Sequence, residues 1–423
     1  MTGGRKLGWG LAALLVAGNM IGSGVYLLPV SLASVGSSSI VGWGVATVGA
    51  LVLAAVFAGL GQLRPAADGL PDFVGSGLNR FFAFQASLAY WVAGWLGNVA
   101  IAVAATGYLA VFAPVLRQPL VGALCNLALI WLATLAYMAG PKLVARFGGA
   151  TLLIGLAPLA MAIVAGVMAF DPQTFTESWS PAGAPLTASV PASLALIFWA
   201  FLGVESAAVL SARLRRPDRD IGRASFAGVL LAALVYVAAS AAVFGVLPVG
   251  ELAASTSPFA DLAARVMGGA AGGFVAVCAV AKTMGTLSGW VMLTGETARS
   301  AARDGFLPRW FGGVSTPLIN PVIHGALMSL AVILSLQPSL AGQFSILINV
   351  TTVLILVVYA LCCLALLRTT RQPHWRLAAV LGLVFAISAA AASTPGLLWP
   401  TLGFFVLVSG VWPLVRARAN GAG

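Results

Sequence analysis

Charge is scarce in this chain. Only 8% of its 423 residues are Asp, Glu, Lys or Arg, while 60% are hydrophobic and the mean hydropathy is +1.01. Soluble domains average about a quarter charged residues, so this composition cannot build a water-facing surface, and a soluble fold is excluded. Cysteine is rarer still. Cys125, Cys278, Cys362 and Cys363 all fall in apolar stretches, which leaves no disulfide framework and no zinc spacing. The two histidines, His324 and His374, sit near the ends of apolar stretches. The sequence contains no Walker loop, catalytic triad, dinucleotide fingerprint or His/Cys cluster. It therefore points to no enzyme, no cofactor and no metal. Uphill work by such a chain must draw on an ion or solute gradient.

What the chain has instead is apolar runs of about 20 residues, each long enough to cross a bilayer as a helix. We read twelve: about 8–33, 40–62, 82–115, 120–139, 147–170, 191–211, 224–247, 271–298, 320–336, 344–367, 375–393 and 397–415. The fold class expected is an all-α polytopic membrane protein, one transmembrane domain over 1–423. The net charge of +11 would suit nucleic acid, but its distribution argues against that partner. Nineteen of the 22 Lys and Arg fall on loops of one side, Arg117 and Arg265 on the other, and Lys282 inside a span. By the positive-inside rule both termini are cytoplasmic, in a cell inner membrane. Arg5 and Lys6 before the first span imitate a signal peptide, but that apolar region is too long and too broken by glycine to be one. The longest polar connections are 169–191, outside, and 211–225, inside; the inner one sets five arginines near anionic headgroups.

Two apolar runs are interrupted in their middles. "GNMIGSGVYLLP" lies in span 1 and "FWAFLGVESAAV" in span 6. Five spans separate them, so they run in opposite directions through the membrane. Paired interruptions of this kind point to a transporter's substrate site, although glycine in membrane helices also serves close packing. Gly22-Ser23-Gly24 can unwind a helix because glycine tolerates positive φ. Unwinding frees N–H and C=O groups that hydrocarbon cannot satisfy. Freed amides suit a carboxylate and freed carbonyls an ammonium, so a site with both reads amino acids. A packing kink is the plainer alternative.

Span 6 carries Glu205, the one carboxylate deep in the membrane. It is suited to hold a proton, pair with a base or meet a cationic substrate; a structural, hydrogen-bonded Glu is the alternative. Trp199 lies six residues earlier, as a gate or as packing. Tyr90, Gly94 and Asn98 share one face of span 3, which must look inward. Lys282, Gly285, Thr286 and Gly289 form a narrow stripe on span 8, which turns Lys282 into the bundle. A buried ammonium needs a partner. Glu205 is the first candidate and Glu296 the second. Trp290 is placed to line a cavity and stack on a planar or cationic group.

On these stretches, with "YWVAGWLGNVA", "RRPDRDIGRA" and "GWVMLTGETARSAARDGFLP", the chain resembles the amino acid–polyamine–organocation family, and within it the bacterial basic amino acid/polyamine antiporters. The motifs run in the family's order over nearly the whole length. The resemblance implies a leucine-transporter-type fold of twelve helices, with spans 1–5 (about 8–170) and 6–10 (about 191–367) as an inverted repeat around broken helices 1 and 6. Spans 11–12 (about 375–415) follow it, and a homodimer is usual. It also implies a small-molecule substrate, an amino acid or amine, exchanged by alternating access. Met20, Ile21, Gly22, Ser23 and Gly24 would hold its α-carboxylate and α-amine. Trp199 would cover it and Trp290 stack on its cationic end. Ala93, Gly94, Asn98, Leu202 and Thr351 complete the expected lining, and Tyr90, Glu205 and Tyr359 match gating positions. One departure stands out: the arginine exchangers have a glycine where this chain has Lys282. Either Glu205 neutralises it, or its proton comes and goes and couples uptake of neutral or small amino acids to protons.

Overall fold

The computed structural model describes residues 8–22, 24–67, 69–209, 214–312, 318–393 and 395–420. Among them every regular element is a helix. Hydrocarbon offers no partner for backbone N–H and C=O groups, so each segment must pair its own. The chain runs through α1 (Trp9–Met20), α2 (Gly24–Ser31), α3 (Ser39–Leu63), α4 (Leu70–Gly77), α5 (Arg80–Leu109), α6 (Pro119–Ala139) and α7 (Pro141–Met168). Next come α8 (Pro172–Glu177), α9 (Leu186–Phe198), α10 (Ser206–Val209), α11 (Pro217–Phe244), α12 (Val249–Ala254), α13 (Pro258–Met267) and α14 (Gly269–Arg303). The last four are α15 (Ile319–Leu334), α16 (Leu340–Thr369), α17 (Pro373–Ala391) and α18 (Pro395–Asn420). Proline opens α6, α7, α11, α13 and α17, where its missing N–H is not needed. Gly140 at φ +112 and Gly268 at φ +92 make the sharp joints between α6 and α7 and between α13 and α14.

Ten of the described helical segments are long and apolar enough to cross a membrane, or eleven with the bent pair α1/α2 taken as one span. The remaining apolar helix, α15, has 16 residues, about 24 Å at 1.5 Å per residue, against a hydrocarbon core of about 30 Å. By length and composition the described residues therefore give ten or eleven spans, and the twelve read from the sequence require α15 to count as one. Boundaries moved too. α14 reaches 35 residues because polar Glu296 to Arg303 continue its helix beyond the apolar part.

α14 packs between α7 and α5, α16 packs on α5, and α11 on α3 and α1. Lipid is as apolar as leucine, so the approach of helices rests on shape. A Cβ on Gly94 would come within 2.8 Å of Thr294 Oγ1, and one on Gly295 within 2.5 Å of the Tyr137 hydroxyl. Gly285 likewise meets Thr151, as the small stripe on span 8 implied.

The first interruption bends α1 from α2 by 46°. Its turn centres on Ile21, at φ −72 and ψ 65, the geometry of an inverse γ-turn. The Gly22 N–H closes it on the Met20 carbonyl at 2.6 Å, and the Ile21 N–H still reaches Ala17 O. Gly22 and Gly24 are not among the positive-φ glycines, so the expected left-handed unwinding at these two does not occur. Their missing side chains matter for a different reason, given below. In the second interruption α9 tightens into one 3₁₀ turn, Trp199–Phe201, and Leu202 is extended. Gly203 is left-handed at φ +102 before α10 begins. The Ala200 carbonyl in this break accepts from the Tyr236 hydroxyl on α11 at 2.8 Å, between buried groups.

Tyr236→Phe removes that donor and leaves a buried carbonyl unpaired, a loss of about 1–3 kcal/mol. We expect a lower midpoint of thermal unfolding in detergent micelles. An unchanged midpoint would show that water replaces the hydroxyl there.

Candidate functional site

The two breaks face each other. Asn19 Nδ2, at the end of α1, donates to Ser206 Oγ, at the start of α10, over 3.1 Å. Between the breaks and α5, α14 and α16 lies a cavity. The first break lines it with Met20, Gly22 and Gly24, the second with Trp199, Leu202 and Glu205. Tyr90, Ala93, Gly94 and Asn98 come from α5, Trp290 from α14, and Thr351 and Tyr359 from α16. Thus thirteen of the sixteen residues singled out in the sequence meet at one place. Ile21 is buried beside the cavity and forms its turn rather than its wall. Ser23 lies outside the described residues. Lys282 is treated below.

Trp199 lies across the cavity between two glycines. A Cβ on Gly24 would sit 2.9 Å from the indole Nε1, and one on Gly97 would sit 3.1 Å from Cη2 at the far edge. Each glycine is therefore a vacancy that the ring occupies. Gly24 also begins α2, whose first-turn N–H groups have no acceptor in their own helix. They are donors available to an anion.

Glu205 is buried and accepts two phenolic hydrogen bonds, from Tyr90 at 3.1 Å and from Tyr359 at 2.6 Å. Tyr90 is ten residues from the N-terminus of α5 and Tyr359 ten from the C-terminus of α16, about 15 Å of helix in each case. All three side chains line the cavity. Glu205 is the one charged side chain in the lining among the described residues.

The expected pairing of Glu205 with Lys282 is not formed. Lys282 Nζ donates to Thr286 Oγ1 at 2.9 Å, and the lysine stem lies where Gly155 of α7 leaves room for it. Nor does Lys282 reach Glu296, which pairs with Arg299 at 2.7 Å and accepts from Tyr137. The reason is geometric. Lys282 and Gly285 of the stripe meet Gly155 and Thr151 of α7, while Glu205 lines the cavity. The cation is kept in the wall and the anion in the cavity.

Two buried polar atoms in this cavity are unpaired, an amide oxygen and a hydroxyl. Asn98 gives its Nδ2 to Thr294 Oγ1 at 3.3 Å, yet its Oδ1 is buried without a partner. Thr351 Oγ1 is likewise buried and unpaired. Unmet buried polar atoms are uncommon in folded proteins, and both sit in the lining.

Sequence reasoning missed Asn19, Gly97, Ile101, Thr286, Leu293, Thr294, Thr297 and Ile355, which also line the cavity. Helical spacing held the signal. Gly94, Gly97, Asn98 and Ile101 continue one face of α5, and Trp290, Thr294 and Thr297 one face of α14. Asn19 stood in the opening motif, a polar residue in an apolar run.

With this geometry in view, comparison with known proteins is informative. The profile of the family described as "Amino acid permease" matches residues 7–418. The chain is 33% identical over 401 residues to the cadaverine/lysine antiporter of Escherichia coli (strain K12), covering 92% of this chain and 90% of that protein. It is 29% identical over 367 residues to the putrescine transporter PotE of the same strain, covering 86% and 83%. The Haemophilus influenzae putrescine transporter PotE is 29% identical over 365 residues. The chain belongs to the amino acid permease family and is a multi-pass membrane protein whose relatives move small amines and amino acids.

Proposed function

We propose that this chain exchanges a basic amino acid for its decarboxylated amine across the cell inner membrane, by alternating access around the central cavity. The observation that carries this reading is the charge of the cavity. Among the described residues its lone charged wall group is the Glu205 carboxylate, Asn98 Oδ1 is an unfilled acceptor, Thr351 Oγ1 is an unpaired hydroxyl able to accept, and Lys282 is kept out of the lining. A cation is what such a chamber lacks. Had Lys282 faced it, a second cation about 4 Å away would be opposed by ~4 kcal/mol at an effective dielectric of 20.

In this reading the first break holds the α-amino and α-carboxylate groups, with Met20, Ile21, Gly22, Ser23 and Gly24 around them. The cationic end reaches Asn98, Thr351 and Trp290, beside Ala93 and Gly94. Trp199 and Leu202 cover the substrate. Tyr90, Glu205 and Tyr359 form the gate toward the arginine-rich side, which is cytoplasmic by the positive-inside rule, as are both termini. Opening that gate means exchanging phenol–carboxylate hydrogen bonds for water or for the substrate's own ammonium. We read the whole chain as one domain of twelve spans. α15 is the short ninth, and 8–170 and 191–367 are inverted halves, a reading supported by an interrupted helix at the start of each. A homodimer would use the broad apolar faces of α17 and α18, where Trp399, Val406 and Leu407 are exposed.

A second reading has one observation in its favour. Lys282 touches Thr286, a cavity residue beside the first break. A proton lost and regained by Lys282 would be felt at the substrate, as proton-coupled uptake of neutral or small amino acids requires.

Counterflow in proteoliposomes tests the main reading. Vesicles loaded with lysine, arginine or ornithine should take up labelled amino acid or amine, and vesicles loaded with small neutral amino acids should not. Loading that works equally for neutral amino acids would reverse the ranking. Glu205→Gln should lower exchange of cationic substrates at least 10-fold, the size of a charged hydrogen bond, with expression retained. Loss of the folded protein instead would make Glu205 structural. For Lys282→Ala we expect exchange whose pH dependence matches the wild type. A flattened pH profile would favour the proton-coupled reading.

A further inference from the structure

Thr286 lies one helical turn beyond Lys282 on α14 and lines the cavity. Its Cγ2 is 3.5 Å from where a Cβ on Gly22 would stand, so it borders the first break. Lys282 Nζ meets its hydroxyl at 2.9 Å. An ammonium carries three donors and no acceptor, so Lys282 donates and Thr286 Oγ1 accepts. The hydroxyl's own hydrogen must then point elsewhere. The other three threonines of α14 return theirs to their own helix: Thr283 to Ala279 O, Thr294 to Trp290 O and Thr297 to Leu293 O. Thr286 makes no such bond among the described residues. Its donor is unspent and polarised by the ammonium on its oxygen, beside the first break.

We propose that Thr286 is a specificity-determining residue that donates this hydrogen to the carboxylate of an amino acid substrate, and so separates the amino acid from its decarboxylated amine. The inference rests on the exchange reading above. Charge assistance makes such a bond shorter and stronger than a neutral one. The orientation is consistent at both ends. The carboxylate lies toward the Thr286–Lys282 pair and the first break, while the side-chain cation lies toward Glu205, Asn98 and Thr351. A diamine has two cationic ends and no carboxylate. It gains nothing from Thr286, and one of its ends meets the field of Lys282 through a single hydroxyl. Backbone groups of the break bind whatever α-amino acid arrives, whereas Thr286 distinguishes the two partners of an exchange.

Counterflow with lysine and cadaverine as the probes reads the effect as a ratio of KM values, lysine over cadaverine. Thr286→Val keeps the shape and removes the hydroxyl. The ratio should rise about 10-fold or more, the size of a hydrogen bond to a charged group. Thr286→Ser should restore the wild-type ratio, and Thr286→Ala should repeat the loss if the valine variant does not insert. A ratio unmoved in the hydroxyl-free variants overturns the inference. So does a parallel rise of both KM values that serine fails to rescue. Wild-type protein that carries none of lysine, arginine, ornithine or their amines defeats the exchange reading and this inference with it. Wild-type exchange of both probes with an unmoved ratio defeats the inference alone.

Discussion

A peptide group left unpaired in hydrocarbon costs several kcal/mol, and two helices of this protein are interrupted in the membrane. The rest of the architecture answers that constraint. An inverse γ-turn at Ile21 keeps two amides of the first break paired. The Tyr236 hydroxyl meets Ala200 O in the second, and Asn19 and Ser206 tie one break to the other. Tyr26 at the start of α2 is held on both sides, donating to Gly155 O and accepting from Tyr108 on its carbonyl. What these contacts leave open faces the cavity, where a polar solute can complete it.

The two buried charges are separated by the same packing. Glu205 lies in the cavity wall with two phenols, whereas Lys282 lies between α14 and α7 with one hydroxyl. Neither neutralises the other. An anion in the lining and a cation one hydroxyl behind it, at Thr286, are the two charges nearest the cavity contents among the described residues.

Much of this was legible in the residues. Apolar run length and scarcity of charge establish a multi-spanning helical protein, since few other chains can satisfy their backbones in lipid. The glycines and polar residues at mid-run in "GNMIGSGVYLLP" and "FWAFLGVESAAV" marked both breaks. Spacing by four brought Tyr90, Gly94 and Asn98 to one face. Less legible was the reason for each glycine. Gly24 and Gly97 make room for the two edges of Trp199, and Gly155 for the stem of Lys282. A vacancy has no chemical signature in the residue that provides it. The partner that fills it lies far away in sequence.

By itself the sequence determined what every local rule can reach: membrane residence, helical spans, the positions of both interruptions and part of the cavity lining. Those follow from hydropathy and helical period, which act over neighbours in the chain. Of the lining, Met20, Ala93, Leu202, Thr351 and Tyr359 were expected only from the family resemblance. Tertiary packing alone decided which polar groups pair. Lys282 and Glu205 look like partners in a list of buried charges, yet the stem of Lys282 packs against Gly155 of α7 and Glu205 finds Tyr90 and Tyr359, 115 and 154 residues away. Pairing depends on side-chain direction across helix contacts, and that direction is set only when the helices have packed.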